Sequence, residues 1–204
     1  MFQTASGVTI PFPDRIKEEY QVHEKSIRFH LSFEKLGAML EDFIARQEEP
    51  LFFVLQIPLK RDEELALCPD GTFPTEGWIV HDRVCYLDGQ SKEQIRAILR
   101  QYGELLLNDG ASQFAVASHV TWDEMFVMKY KLVDLYCRQP QKYFDLMELY
   151  GVARTDKLLT VWDTFSNETP GQSRRVRMDG LDCYEVHAAL VKEGMYEAKV
   201  IEAW

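Results

Sequence analysis

The sequence predicts an α+β fold: a single domain whose largely antiparallel mixed sheet is flanked by about four to five helices. Three observations lead to this. Strand-like runs stand next to each other mid-chain, "SQFAVAS" and "EMFVMKYKLVDLY", separated only by "HVTWD". Segments of helical period are interspersed, two of them opened by capping-box signals, "SKEQ" and "DCYE". The 204 residues, 46 % apolar and 27 % charged, suffice for one full core without staples, and no repeat or clean linker divides them. One domain over 1–204 is the expectation; the alternative places a boundary within 60–77.

Residues 1–25 read as an irregular N-terminal segment, because Pro11 and Pro13 interrupt any early element. "SIRFHLS" alternates Ile27, Phe29 and Leu31 against Arg28 and His30, the period of a half-buried strand with His30 on its exposed face. A helix follows, with Ser32 as cap and Phe33, Leu36, Leu40, Phe43 and Ile44 on one side; Gly37 weakens it slightly. "LFFVLQI" is a continuous apolar run, predicting a central strand covered on both faces. Residues 60–77, rich in charge, Pro and Gly, predict the loosest loop of the chain. "WIVHDRVCYLDG" predicts a strand ending at the Asp88-Gly89 turn.

Ser91 and Gln94 open a helix with Ile95, Ile98, Leu99, Tyr102 and Leu106 on one face. It ends either at Gly103, leaving "ELLLN" as a short strand, or at "NDG". In "SQFAVAS", small Ala115 and Ala117 alternate with Phe114, Val116 and Ser118, so something packs closely over the alanine face. Pro140 can start a helix carrying Tyr143, Phe144, Met147 and Tyr150. "TDKLLTVWDTF" has helical spacing behind a Thr155 cap, and "SRRVRMDG" predicts a strand with a turn. Asp182 and Glu185 open a helix that runs to Gly194, and "MYEAKVIEAW" closes as a strand or a ragged tail.

Acidic residues outnumber basic ones 33 to 23, for a net charge of −10. That field repels phosphate backbones and anionic lipid, so neither nucleic acid nor a membrane is expected as partner. The same field suits a basic protein. The longest apolar run, "LFFVLQIPL", is too short for a membrane helix. "MFQTASGVTIPFPD" lacks the basic and apolar regions of a signal peptide, and Cys68, Cys85, Cys137 and Cys183 are scattered without a C-x-x-C pair. A cytoplasmic chain with reduced thiols is the expectation.

The most chemical-looking stretch is "SHVTWDEM", with His119, Asp123 and Glu124 beside Trp122. The i, i+4 spacing of His119 and Asp123 converges on a helix but not in a β-hairpin, and no second histidine is near. The preferred reading is a solvated connection, with Asp123 and Glu124 facing water and Trp122 capping the core. The alternative is a small hydrolase or transferase using His119 with Asp123 or Glu124. Cys183 and His187 form a second candidate pair, on one helix face near its N-terminus, where a thiol pKa can fall. Arg175 and Arg177, sharing a strand face, are a weak anion-binding candidate beside the reading that they neutralise acidic neighbours. No Walker, dinucleotide, nucleophile-elbow or zinc-protease motif occurs, so neither a cofactor nor a metal is expected.

"YLDGQSKEQIRAILRQYGELLLNDGASQFAVASH", "DE" at 123 and "WDTFSNETPG" together resemble a pattern in small uncharacterised bacterial cytoplasmic proteins, some of which are immunity partners of secreted toxins. The resemblance covers about half the chain and implies no catalytic residues. With the charge, it leads to an expectation of a non-enzymatic acidic interaction protein that binds a basic protein partner. Asp62, Glu63 and Glu64 would steer the encounter, with Trp122 and Trp204 as aromatic anchors.

Overall fold

The structure, a computed structural model, describes residues 2–68, 71–73 and 80–203. In chain order the strands and helices are β1 (Val8–Thr9), β2 (Glu19–His23), β3 (Ser26–His30), α1 (Phe33–Arg46), β4 (Leu51–Pro58), α2 (Arg61–Ala66), β5 (His81–Gln90) and α3 (Lys92–Asn108). Then come β6 (Gln113–Ser118), β7 (Glu124–Val127), β8 (Leu132–Tyr136), α4 (Phe144–Leu149), β9 (Ala153–Arg154), β10 (Gln172–Ser173), α5 (Cys183–Lys192) and β11 (Tyr196–Glu202). Nine strands form one sheet in the order β11-β5-β4-β6-β7-β8-β3-β2-β9, antiparallel throughout except where β2 meets β9. β1 and β10 form a separate small ribbon. The predicted class, a single α+β domain with a largely antiparallel sheet and flanking helices, is what the chain adopts.

Strand alternation sorts the sheet into two faces. Leu51, Phe53, Leu55 and Ile57 of β4 point into the main core, where they meet Leu36, Leu40 and Phe43 of α1, Ile95, Tyr102 and Leu106 of α3, and Val186 and Leu190 of α5. Phe52 and Val54 point the other way, into a thinner cluster with Val84, Ala115 and Ala117 that contains no residue from any α-helix. On this second face, pairing aligns one continuous row across eight strands: Tyr196, Tyr86, Val54, Ala115, Phe126, Asp134, Arg28 and Gln21. β4 is central, as its apolar run predicts, but helices cover only one side of it. The small alanines stand beside large cross-strand neighbours, Ala115 next to Phe126 and Ala117 next to Phe52, and both are buried.

The two predicted capping boxes form. Ser91 Oγ accepts from the Gln94 N–H and the Gln94 amide oxygen accepts from the Ser91 N–H, and α3 continues through Gly103 to Asn108. Asp182 and Glu185 form the second box at the start of α5. Ser32 precedes α1 but does not cap it; its hydroxyl instead accepts from the Gln3 N–H at 3.1 Å and so anchors the N-terminal segment.

Five local expectations are corrected. Residues 1–25 are not wholly irregular: β2 lies within them and pairs with β3. His30 does sit on the face opposite the helices, paired with Leu132, but it is fully buried, because Phe2 folds over it edge-on at 5.6 Å. Part of the predicted loop at 60–77 is α2, at whose start the Glu63 carboxylate accepts from the Lys60 N–H at 2.8 Å; Pro69, Asp70 and residues 74–79 lie outside the described residues. "TDKLLTVWDTF" forms no α-helix. The Thr155 N–H donates to the Tyr20 carbonyl and Trp162 and Phe165 close around Tyr130, leaving one 3-10 turn at Val161–Thr164. Arg174 to Arg177 lie beyond the two-residue β10 and not in a strand.

Candidate interaction surface

Residues 118–125 form the β6–β7 connection. Ser118 Oγ donates to the Glu48 carbonyl (2.6 Å) and accepts from the Val120 and Thr121 N–H groups, which holds the turn closed. Its polar side chains leave in three directions. His119 stacks against Phe52 with centroids 4.6 Å apart, and its Nε2 lies 3.2 Å from Asp88 Oδ1. Asp123 turns to the helix side, where its carboxylate pairs with Lys142 and accepts from the Tyr143 hydroxyl at 2.8 Å. That hydroxyl also accepts from the Gln47 amide at 2.9 Å. Glu124 stands on the opposite face across from Tyr136, and burial raises its carboxyl pKa.

The connection is therefore not the solvated turn of the sequence reading. Asp123 is 1 % exposed, whereas Trp122, at left-handed φ of 62°, is turned outward and 61 % exposed instead of capping the core. Neighbouring strand residues face opposite ways, which is why Asp123 and Glu124 share no site.

The other combinations separate as well. Cys183 is fully buried, and desolvation with Asp109 nearby raises its thiol pKa far above the usual range, opposite to what a nucleophile needs. His187 sits instead against Cys85, Nε2 to Sγ 3.3 Å, and burial also raises that thiol, to about 11. On α2, Glu63 holds Arg83 at 2.6 Å and caps the Lys60 N–H. Glu64 is 6 % exposed and accepts from the His81 N–H. Of the three expected steering carboxylates, only Asp62 is exposed. Arg175 pairs with Asp182 at 3.2 Å and lies over the Tyr184 ring; Arg177 donates twice to the Gly180 carbonyl. Trp204 lies outside the described residues. Among the described residues, no three His, Cys, Asp or Glu side chains are grouped to hold a metal ion, and no helix is long and apolar enough to cross a membrane.

One surface combines apolar and acidic character. α1 and α3 run antiparallel: Lys92 Nζ, at the start of α3, donates to the Ala45 carbonyl at the end of α1, while Gly37 near the start of α1 lies beside Leu107. Between them is an outward-facing groove of about 330 Å³ with Phe33, Leu40, Leu99 and Leu107 in its wall and floor. The groove exists because Gly37 and Gly103 present no side chains there. A Cβ at either would meet only ordinary contacts, Leu107 Cδ1 at 3.5 Å and Leu99 Cβ at 3.6 Å.

Glu34, Glu41 and Glu104 line the groove with a single Arg100, and Glu93 engages that arginine at 2.7 Å. Glu41 is held by Arg96 at 3.0 Å, whereas Glu34 faces the neutral Gln3 amide. The local field is thus negative over an apolar floor. The pattern was readable in outline. Glu34, Gly37 and Glu41 recur at i, i+3, i+7, and Leu99, Gly103 and Leu107 at i, i+4, i+8, so each trio forms one helix stripe. Read one at a time, the glycines count only as helix weakeners, and nothing in the sequence says that the two stripes face each other. Comparison with known proteins finds no matching family model, no matching curated protein and no matching solved structure.

Proposed function

We propose that this chain is a non-enzymatic, acidic interaction protein that binds a basic protein partner through the α1–α3 groove, in the manner of a cytoplasmic immunity protein that neutralises a toxin. The observation that supports it best is the pairing of an apolar floor with three glutamates in that groove, on a molecule of net charge −10. Long-range charge steers a cationic partner in, and the apolar floor supplies contact once water is expelled. The alternative of a hydrolase or transferase asks His119 to act with Asp123 or Glu124. Their divergence, with His119 on Asp88 and Asp123 on Lys142, weighs against it.

The test is a binding titration against basic protein domains, repeated across ionic strength, with the wild type and with a Glu34→Lys/Glu104→Lys variant. Affinity should fall as salt rises, and the charge-reversed variant should bind roughly tenfold more weakly at low salt. Binding that ignores both salt and charge reversal, or no binding at all, would overturn the proposal.

A further inference from the structure

We infer that the segment received by the α1–α3 groove is a basic amphipathic α-helix, and not an extended strand or a loop. This rests on the proposed function above and adds the partner's conformation to it.

The first argument is backbone satisfaction. The bed is made of two α-helices whose own backbone groups are bonded internally, so its floor of leucine side chains has no N–H or C=O to offer an extended chain. A strand laid there would bury unpaired peptide groups, each carrying an unrecovered desolvation cost. A helix brings its backbone already bonded and presents only side chains. The edge strand β11 shows the contrast: among the described residues it pairs only with β5, and at such an edge a strand is the shape that fits.

Packing geometry is the second argument. Two antiparallel helices leave a furrow that accepts the ridge of a third, at interaxial distances of roughly 8–10 Å. Gly37 and Gly103 deepen the furrow by removing a side chain from each wall. A visiting helix can then set apolar residues at i, i+3 or i+4, and i+7 against Leu99, Leu107 and Phe33.

Charge spacing is the third. Glu34 and Glu41 stand seven residues apart on α1, about 10 Å along its axis, with Glu104 on the facing helix. Lys or Arg residues placed two turns apart on a helix flank match that interval. Arg96 is engaged by Glu41 and Arg100 by Glu93, so the charge offered to a cation comes chiefly from Glu34 and Glu104, with Glu41 shared with Arg96.

The experiment uses an 18-residue Leu/Lys peptide of amphipathic helical pattern, labelled for fluorescence anisotropy, and the same peptide with two central residues replaced by Pro. The full chain is the binder, as wild type and as Gly37→Leu and Gly103→Leu, changes that fill the furrow while improving helix propensity; circular dichroism checks that each stays folded. The expected result is binding of the helical peptide, at least about tenfold loss with proline, and a similar loss in the filled variants. Equal binding of both peptides would overturn the helix while leaving the basic-partner reading standing. Helical-peptide binding unchanged by either Gly→Leu variant would remove it from this groove. Failure of both peptides to bind would overturn the inference together with the reading beneath it.

Discussion

The two faces of the central sheet are built from the same strands to different ends. On one, Leu51, Phe53, Leu55 and Ile57 of β4 are sealed under α1, α3 and α5. On the other, Phe52 and Val54 of the same strand cluster with Ala115, Ala117 and Tyr86 and, among the described residues, with none from an α-helix. The first face gets its dryness from a second layer. The second sets large side chains beside small ones within the strands themselves, and it tolerates polar groups such as the Arg28–Asp134 pair at 2.6–2.7 Å. Burial alone therefore does not measure what a residue contributes: the number of layers packed on it matters as much.

Adjacent phenylalanines test that difference most sharply. Phe53 is fully buried between two layers, and Phe53→Ala should cost about 3–5 kcal/mol of unfolding free energy in urea denaturation. Phe52, 9 % exposed and touching Tyr86 and His119, should cost on the order of 2 kcal/mol in the same assay. Equal losses would show that the second face is packed as deeply as the first, and the contrast would fail.

His30 sharpens the comparison where the second face is closed by the N-terminal segment. Its two ring nitrogens have no hydrogen-bond partner, and burial lowers its pKa from 6.5 to about 4, only partly offset by Asp163. The unfolded chain takes up a proton below about pH 6.5 that the folded imidazole refuses until about pH 4. Stability is thus whole above pH 6.5, declines as pH falls through that window, and is short by on the order of 3 kcal/mol near pH 4. His30→Phe should remove that component. Denaturation curves at pH 7.5 and 4.5 that shift equally for wild type and variant would show that the imidazole is not what acid attacks.

The smallest effect belongs to the sheet's end. Trp122, 61 % exposed, should lose less than about 0.5 kcal/mol on replacement by Ala, measured by thermal melting. A loss above about 1 kcal/mol would mean that its ring packs against the protein after all.

Signals that act within a few residues were the most legible. The Ser91–Gln94 and Asp182–Glu185 boxes form as the residue types dictate, because a hydroxyl or carboxylate three positions from an amide needs no tertiary help to find it. Strand phase was also readable: His30 is on the face away from the helices and β4 lies inside the sheet, paired on both edges. Signals that depend on distant chain misled. The helical period of "TDKLLTVWDTF" lost to the packing of Trp162 and Phe165 around Tyr130, and the Cys183–His187 pair was broken when Cys85 arrived from β5. The α1–α3 groove was half legible, as two stripes without a reason to meet.

By itself, then, the sequence determined the fold class, the alternation of β3 and β6, the capped starts of α3 and α5, and the negative charge. Each follows from periods and neighbours a few residues apart. Only the tertiary structure decided which side of the sheet the helices cover, that Asp123 and Glu124 part company across it, that Phe2 buries His30, and that Gly37 and Gly103 face one furrow. Those outcomes depend on contacts between segments far apart in the chain, and packing, unlike hydrogen-bonded periodicity, leaves no short-range mark in the order of residues.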